Sequence, residues 1–325
     1  MLLGPVFGFL GAAALLAALL RVADSATTTG VHGQAVVSPT ERATAGLLGA
    51  LVDAAAIATV GCLYAAVLLC ARIRDGGSSA SVTPVAWRLQ RTAGLTAAGW
   101  AVLAVAQIPF GLARLVREPV QLAWNASYLY EYLTGFAAGR LQLFAALLIP
   151  VAGMLARAGL RRVTARVALL LAGVALVAQT LAGARFQPPS RLGAAAVVLH
   201  VLGIAGWAGG VVAILTLARL KVGLVLPVLR RHSLWATIWV GLVGSSGVLL
   251  STTDLATPAD LITTFAGRLI LAKIGFFVAL VGVGWTIRRR LPDGATSAGL
   301  PWRLLLCEVV LFGGAVGVAA ALSLS

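Results

Sequence analysis

Charge is what this sequence has least of. Of its 325 residues only 11% are Asp, Glu, Lys or Arg, and 60% are hydrophobic. A soluble globular domain carries about 25% charged residues and about 45–50% apolar ones, so a water-soluble enzyme is excluded at the outset. Strand-like alternation of apolar and polar residues is also missing, which removes an outer-membrane barrel. The three cysteines, Cys62, Cys70 and Cys307, all lie in apolar runs and imply no disulfide framework. Catalytic signatures are absent too: there is no phosphate-binding glycine loop, no metalloprotease pair and no nucleophile with a base at motif spacing. The expectation is that the chain is not an enzyme.

What is present is a succession of apolar runs near 20 residues, the length a helix needs to cross about 30 Å of hydrocarbon. Nine can be drawn, at 3–22, 46–71, 92–113, 135–156, 165–184, 193–218, 233–252, 262–286 and 302–323. The first has no basic residues before it and a poor cleavage site after it, and reads as a retained helix rather than a signal peptide. The fold class is therefore an all-α polytopic membrane protein of about nine transmembrane helices.

The net charge of +15 is a topology signal and does not point to nucleic acid. Arg72, Arg74, Arg88 and Arg91 fall in one link between runs, and Arg157, Arg161, Arg162 and Arg166 in the next alternate one. Arg219, Lys221, Arg230 and Arg231 fill the third, and Arg288, Arg289, Arg290 and Arg303 the fourth. The intervening links are sparser. Basic-rich links face the cytoplasm, which puts the N-terminus inside and the C-terminus outside. In the outer link 114–134, Trp124, Tyr128, Tyr130 and Tyr132 predict a short interfacial helix.

An internal repeat is legible. Phe136 to Arg140 reappears as Phe265 to Arg268, each opening an apolar run, and Asp53 to Arg72 aligns with His200 to Arg219 at an offset of 147. This divides the chain into an N-terminal helix and external loop (1–45) and two parallel four-helix repeats (46–190 and 191–325).

Ionisable groups inside membrane helices are costly and mark sites or pairs. Asp53, Arg140, His200 and Arg268 fall one to two turns from the outer ends of four helices, and Lys273 lies deeper. Glu308 sits near the cytoplasmic end of the last helix, within reach of Arg303 or Arg231. Asp53 can pair with Arg140 or Arg268, or either arginine can snorkel to the headgroups. His200, two turns before Trp207, is the most informative: imidazole is a common metal ligand. Cys62 on a neighbouring helix could share an ion with it, whereas Cys62 and Cys70 are about 12 Å apart along one helix.

These residues also carry a family resemblance. The helix from Leu199-His200 through Trp207 to Gly209-Gly210 resembles the His-x6-Trp-x-Gly-Gly helix of the copper-resistance D membrane family. Leu229-Arg230-Arg231-His232-Ser233, Gly267-Arg268-Leu269 to Lys273, and Arg303 to Glu308 resemble its later motifs in order and spacing. The resemblance implies an eight-helix core in the bacterial cytoplasmic membrane and inward movement of copper, with copper as the bound ion. It also implies that His200, Trp207, Arg268, Lys273 and Glu308 are the family-type positions. His200, Asp53 and Cys62 are then the candidate metal ligands, and Trp207, Arg140, Arg268, Lys273 and Glu308 the polar pathway. With only two methionines and three histidines, the donor set is thin for soft Cu(I). A second reading therefore stays open: a non-catalytic subunit or assembly factor of a larger, possibly respiratory, membrane complex, docking a membrane or periplasmic partner protein. Haem is a third, but it would need an axial ligand besides His200.

Overall fold

In the computed structural model, residues 39–70, 83–116, 118–159, 161–183, 191–219, 225–254, 257, 259–290 and 302–322 are described. The expected first helix, 3–22, lies outside them. The described residues are helical nearly throughout, with no β-ladder among them. The helices are α1 (Pro39–Tyr64, continued by a π turn, Ala65–Leu69), α2 (Pro84–Val116), α3 (Ala126–Gly135), α4 (Ala137–Ala158) and α5 (Arg162–Gly183). They continue as α6 (Arg191–Arg219), α7 (Val225–Asp254), α8 (Asp260–Thr263), α9 (Phe265–Arg289) and α10 (Trp302–Leu322). Seven of them are long and apolar enough to cross a membrane, and α10 occupies the place of the last expected run.

Two helices form the centre. α1 packs against α2, α5, α6 and α10, and α6 against α1, α5, α7 and α10. Both are mostly buried, whereas α7 and α9 show most of their surface outward. Composition explains the division. In lipid there is no hydrophobic drive between helices, so close packing falls to small residues. α1 accordingly buries Ala50, Ala54, Ala55, Ala56 and Ala58, and α6 buries Ala205, Gly206, Ala208, Gly209 and Gly210. Gly61 and Gly209 meet where α1 crosses α6, backbone on backbone.

Two helices begin eight residues before their apolar runs. α2 starts at Pro84, with the Thr83 hydroxyl accepting from Ala86 N at 3.3 Å, and α7 starts at Val225. Arg88, Arg91, Arg230 and Arg231, read as loop residues from the sequence, are therefore helical. Hydropathy marks the hydrocarbon layer, while a helix of good formers such as Arg, Leu and Gln continues past it.

The outer link holds the expected short helix, α3, preceded by a 3-10 turn at Leu122–Trp124. Asn125 caps it, its side chain accepting from Ser127 N at 2.9 Å. Phe136 and Thr264, both extended, each join a short helix to a long one, α3 to α4 and α8 to α9. In both corners the glycine three residues on, Gly139 or Gly267, rests on a carbonyl seven residues earlier, that of Tyr132 or Asp260. A Cβ at either position would overlap that oxygen.

At the first corner the buried Tyr132 hydroxyl donates to Gln142 Oε1 at 3.0 Å. Gly111 of α2 makes the room, since a Cβ there would come within 2.8 Å of both oxygens. Burial holds the Tyr132 hydroxyl above its ordinary pKa, against an opposing pull from Arg114. A pKa raised by folding supports stability below the unfolded value and loses it as pH rises past the folded one, so this contribution fades only above about pH 10. Tyr132→Phe leaves the Gln142 oxygen without its donor. It should cost about 1–2 kcal/mol, read as a lower midpoint for heat-induced loss of the monodisperse chromatography peak in detergent.

Candidate functional site

The principal feature of the bundle is a cavity of about 1150 Å³ among α1, α6, α7, α9 and α10, with α2 and α5 closing one side. Its wall is largely aliphatic and aromatic. Into it come Asp53 from α1, His200 from α6 and Lys273 from α9. Each is reached some way along its helix: His200 is about 14 Å and Lys273 about 12 Å from the first residue, at 1.5 Å per residue. Helix register decides which side chains arrive. Val197, His200, Val201, Ile204 and Trp207 recur three and four apart on the cavity face of α6.

His200 is the best-defined group. Its Nδ1 lies 3.2 Å from the Val243 carbonyl and 3.1 Å from Ser246 Oγ, both on α7. The Ser246 hydroxyl itself donates to the Leu242 carbonyl one turn back. A carbonyl can only accept, so in this contact Nδ1 is the donor, and in the neutral ring Nε2 then carries the lone pair. An imidazole held by a backbone carbonyl in this way has its ring orientation and tautomer fixed for a metal on the other nitrogen. Gly247 allows the close approach, since a Cβ there would stand 3.5 Å from His200 Cε1.

From the cavity wall, Trp207 Nε1 donates to Glu308 Oε1 at 3.1 Å, joining α6 to α10; Glu308 is buried and does not itself line the cavity. The indole is held edge-on by Phe312, 4.9 Å between ring centres, and by Phe277 at 6.1 Å. The sequence suggests Arg303 or Arg231 as the partner of Glu308. Instead Arg231 donates to the Leu69 carbonyl at the end of the π turn, and Arg303 is exposed.

Arg140 and Arg268 do not line the cavity. Both are exposed, and they donate at 3.4 Å to backbone carbonyls, Arg140 to that of Thr134 at the end of α3 and Arg268 to that of Thr264, the N-cap of α9. Both side chains stay at the ends of their helices, and neither reaches the cavity that Asp53 lines. Cys62 is fully buried, one residue past the glycine crossing, and is not part of the cavity wall. Of the three candidate ligands, Asp53 and His200 thus share the cavity and Cys62 does not. Among the described residues no three His, Cys, Asp or Glu side chains come together as a metal cage.

One polar chain escaped the sequence reading. Trp100 Nε1 donates to Gln179 Oε1 at 2.7 Å, and Gln179 Nε2 donates to Gln107 Oε1 at 3.1 Å. Gln107 and Gln179 lie on the cavity wall. Glutamine at two membrane-helix positions was the available signal, passed over because only ionisable groups were weighed.

Residues 226–322, which hold α7 to α10, match the sequence model of the family described as copper resistance protein D. The match takes in Arg230-Arg231, Gly267 to Lys273 and Arg303 to Glu308, and stops short of His200 and Trp207 on α6. No curated protein and no solved structure matches the chain. Together with helices long enough to span a bilayer, the family match fits a copper-related, multi-pass membrane protein.

Proposed function

We propose that the chain is a copper-handling permease that moves copper across the bacterial cytoplasmic membrane. In this reading the basic-rich links face the cytoplasm and the cavity faces the outer side. The observation that carries it is His200, with Nδ1 tied to the Val243 carbonyl and Nε2 left with its lone pair, on the wall of a cavity that Asp53 and Lys273 also line. Imidazole suits copper(II), and a ligand nitrogen fixed by its other ring nitrogen is the arrangement metal sites use. Asp53 supplies a carboxyl group on the same wall, and the family match supplies the metal.

The test is copper accumulation by cells expressing the full chain, alongside copper content of the purified protein, for wild type and His200→Ala. The substitution should lower both at least tenfold while leaving the amount of folded protein unchanged. Equal copper in the two proteins would overturn the assignment.

A further inference from the structure

Three properties of the cavity conflict with a bare ion as its occupant. The first is size: ligand atoms sit about 2 Å from a first-row metal, whereas this space is about 1150 Å³, and pockets of about 300–1,000 Å³ hold drug-sized molecules. The second is its wall, built largely from side chains such as Val197, Ile204, Phe277 and Phe312, with ionisable groups among the described residues limited to Asp53, Arg114, His200 and Lys273. A hydrated ion entering it would exchange most of its water shell for apolar contact. The third is the donor count. Copper needs three or four ligand atoms, yet among the described residues no three candidate side chains converge. The protein offers one well-oriented nitrogen, His200 Nε2, at the edge of a large apolar space.

We infer that the cavity binds copper(II) as a neutral, hydrophobic chelate, whose organic ligands fill the apolar space while His200 Nε2 takes the open axial position of the metal. This rests on the copper reading above and specifies the form in which the copper arrives. The chemistry is addition of one nitrogen donor to a four-coordinate planar complex: one dative bond forms, none breaks, and the oxidation state is unchanged. Tetragonal copper(II) is suited to this, holding four equatorial ligands firmly and a fifth weakly, so release on the far side needs only that last bond to open. Because the complex is neutral, the wall need not compensate a charge, which accounts for a copper site without a carboxylate–thiolate cage. The tautomer favoured by the Val243 carbonyl adds selectivity, since with Nδ1 donating there the Nε2 of the neutral ring has no proton to donate. It can bind a metal centre and cannot hydrogen-bond a carbonyl or ether oxygen.

The experiment uses the full chain in lipid nanodiscs and copper(II) bis(8-hydroxyquinolinate) as the probe, with copper(II) sulfate and copper(II)–EDTA compared at equal metal concentration. Electron paramagnetic resonance reads the axial nitrogen directly, and copper retained after gel filtration gives the stoichiometry. Empty nanodiscs report simple partitioning. The expected result is one chelate per chain with a spectrum distinct from that in empty discs. It should bind at least tenfold more tightly than copper(II) sulfate, with no uptake of the EDTA complex. His200→Ala should abolish the distinct spectrum. Ala315→Trp, which fills the α10 wall and leaves His200 in place, should exclude the chelate but retain binding of the free ion.

If copper(II) sulfate binds through His200 and the chelate does not, the inference falls and the copper permease stands. If wild type and His200→Ala take up the chelate alike, with the empty-disc spectrum, it falls as partitioning. If no form of copper binds, the inference and the permease reading fall together.

Discussion

Gly61→Ala should abolish folded protein. A Cβ at Gly61 would overlap the Cα, carbonyl carbon and oxygen of Gly209, and backbone cannot rotate aside as a side chain can. The reciprocal change is little better, because a Cβ at Gly209 would come 2.6 Å from Gly61 Cα and 2.7 Å from the Ile57 carbonyl oxygen. Separating α1 from α6 by the width of a methyl group would loosen the two central helices along their whole contact. Overpacking of a tight core costs about 1–3 kcal/mol and occasionally more; here, with backbone on both sides, the upper end or beyond is expected. Fluorescence-detected size-exclusion chromatography of a tagged chain should show the monodisperse peak lost. Gly99→Ala supplies the control: a Cβ there meets nothing within 4 Å, and replacing a mid-helix glycine should stabilise by about 0.5–1 kcal/mol. A normal peak for Gly61→Ala would show that the crossing is not the tight point described.

The second large effect is expected at Trp207 and Glu308. Glu308 is 4% exposed and Trp207 2% exposed, so neither can find water if its partner is removed. Trp207→Phe keeps the aromatic contacts with Phe277 and Phe312 but leaves the carboxyl group without the indole donor. Glu308→Leu leaves the indole N–H without an acceptor. Each should cost about 1–3 kcal/mol, the penalty for an unmade buried hydrogen bond. The double change Trp207→Phe/Glu308→Leu removes both polar groups and should recover much of the loss, giving a coupling of about 1–2 kcal/mol in a double-mutant cycle. Glu308→Gln retains an Oε1 acceptor and should cost least. Thermal midpoints of wild type and the four variants in one detergent decide it; additive losses would mean that the bond contributes nothing of its own.

The helices were readable because a bilayer imposes a length on apolar sequence. The expected runs from 46–71 to 302–323 each fall on a described helix, while 3–22 lies outside the described residues. The readable quantity was burial in hydrocarbon and not helicity, which is why Arg88, Arg91, Arg230 and Arg231 were misplaced into loops. At the site, His200 stood out because an ionisable group in an apolar run is conspicuous. What orients it did not stand out: the Val243 carbonyl is a backbone atom that no residue type announces, and Ser246 is 46 residues away. Glu308 was matched to arginine because opposite charges are the obvious complement, whereas its partner is a neutral indole N–H.

The glycine crossing also has a mechanical meaning. Asp53 lies eight residues before Gly61, and His200 nine before Gly209, so each stands about 12–14 Å along its helix from a common fulcrum. With backbone touching backbone at that point there is no side-chain cushion to slide on, so rotation about the crossing, as in a pair of shears, is the movement of α1 against α6 that would keep the contact. A turn of about 10° at the pivot carries Asp53 and His200 apart by about 2 Å, a displacement typical of helix shifts in conformational transitions. Two cavity-wall residues, 147 positions apart in the chain, therefore sit at matched radii on the blades, and the width of the space between them is set by one angle.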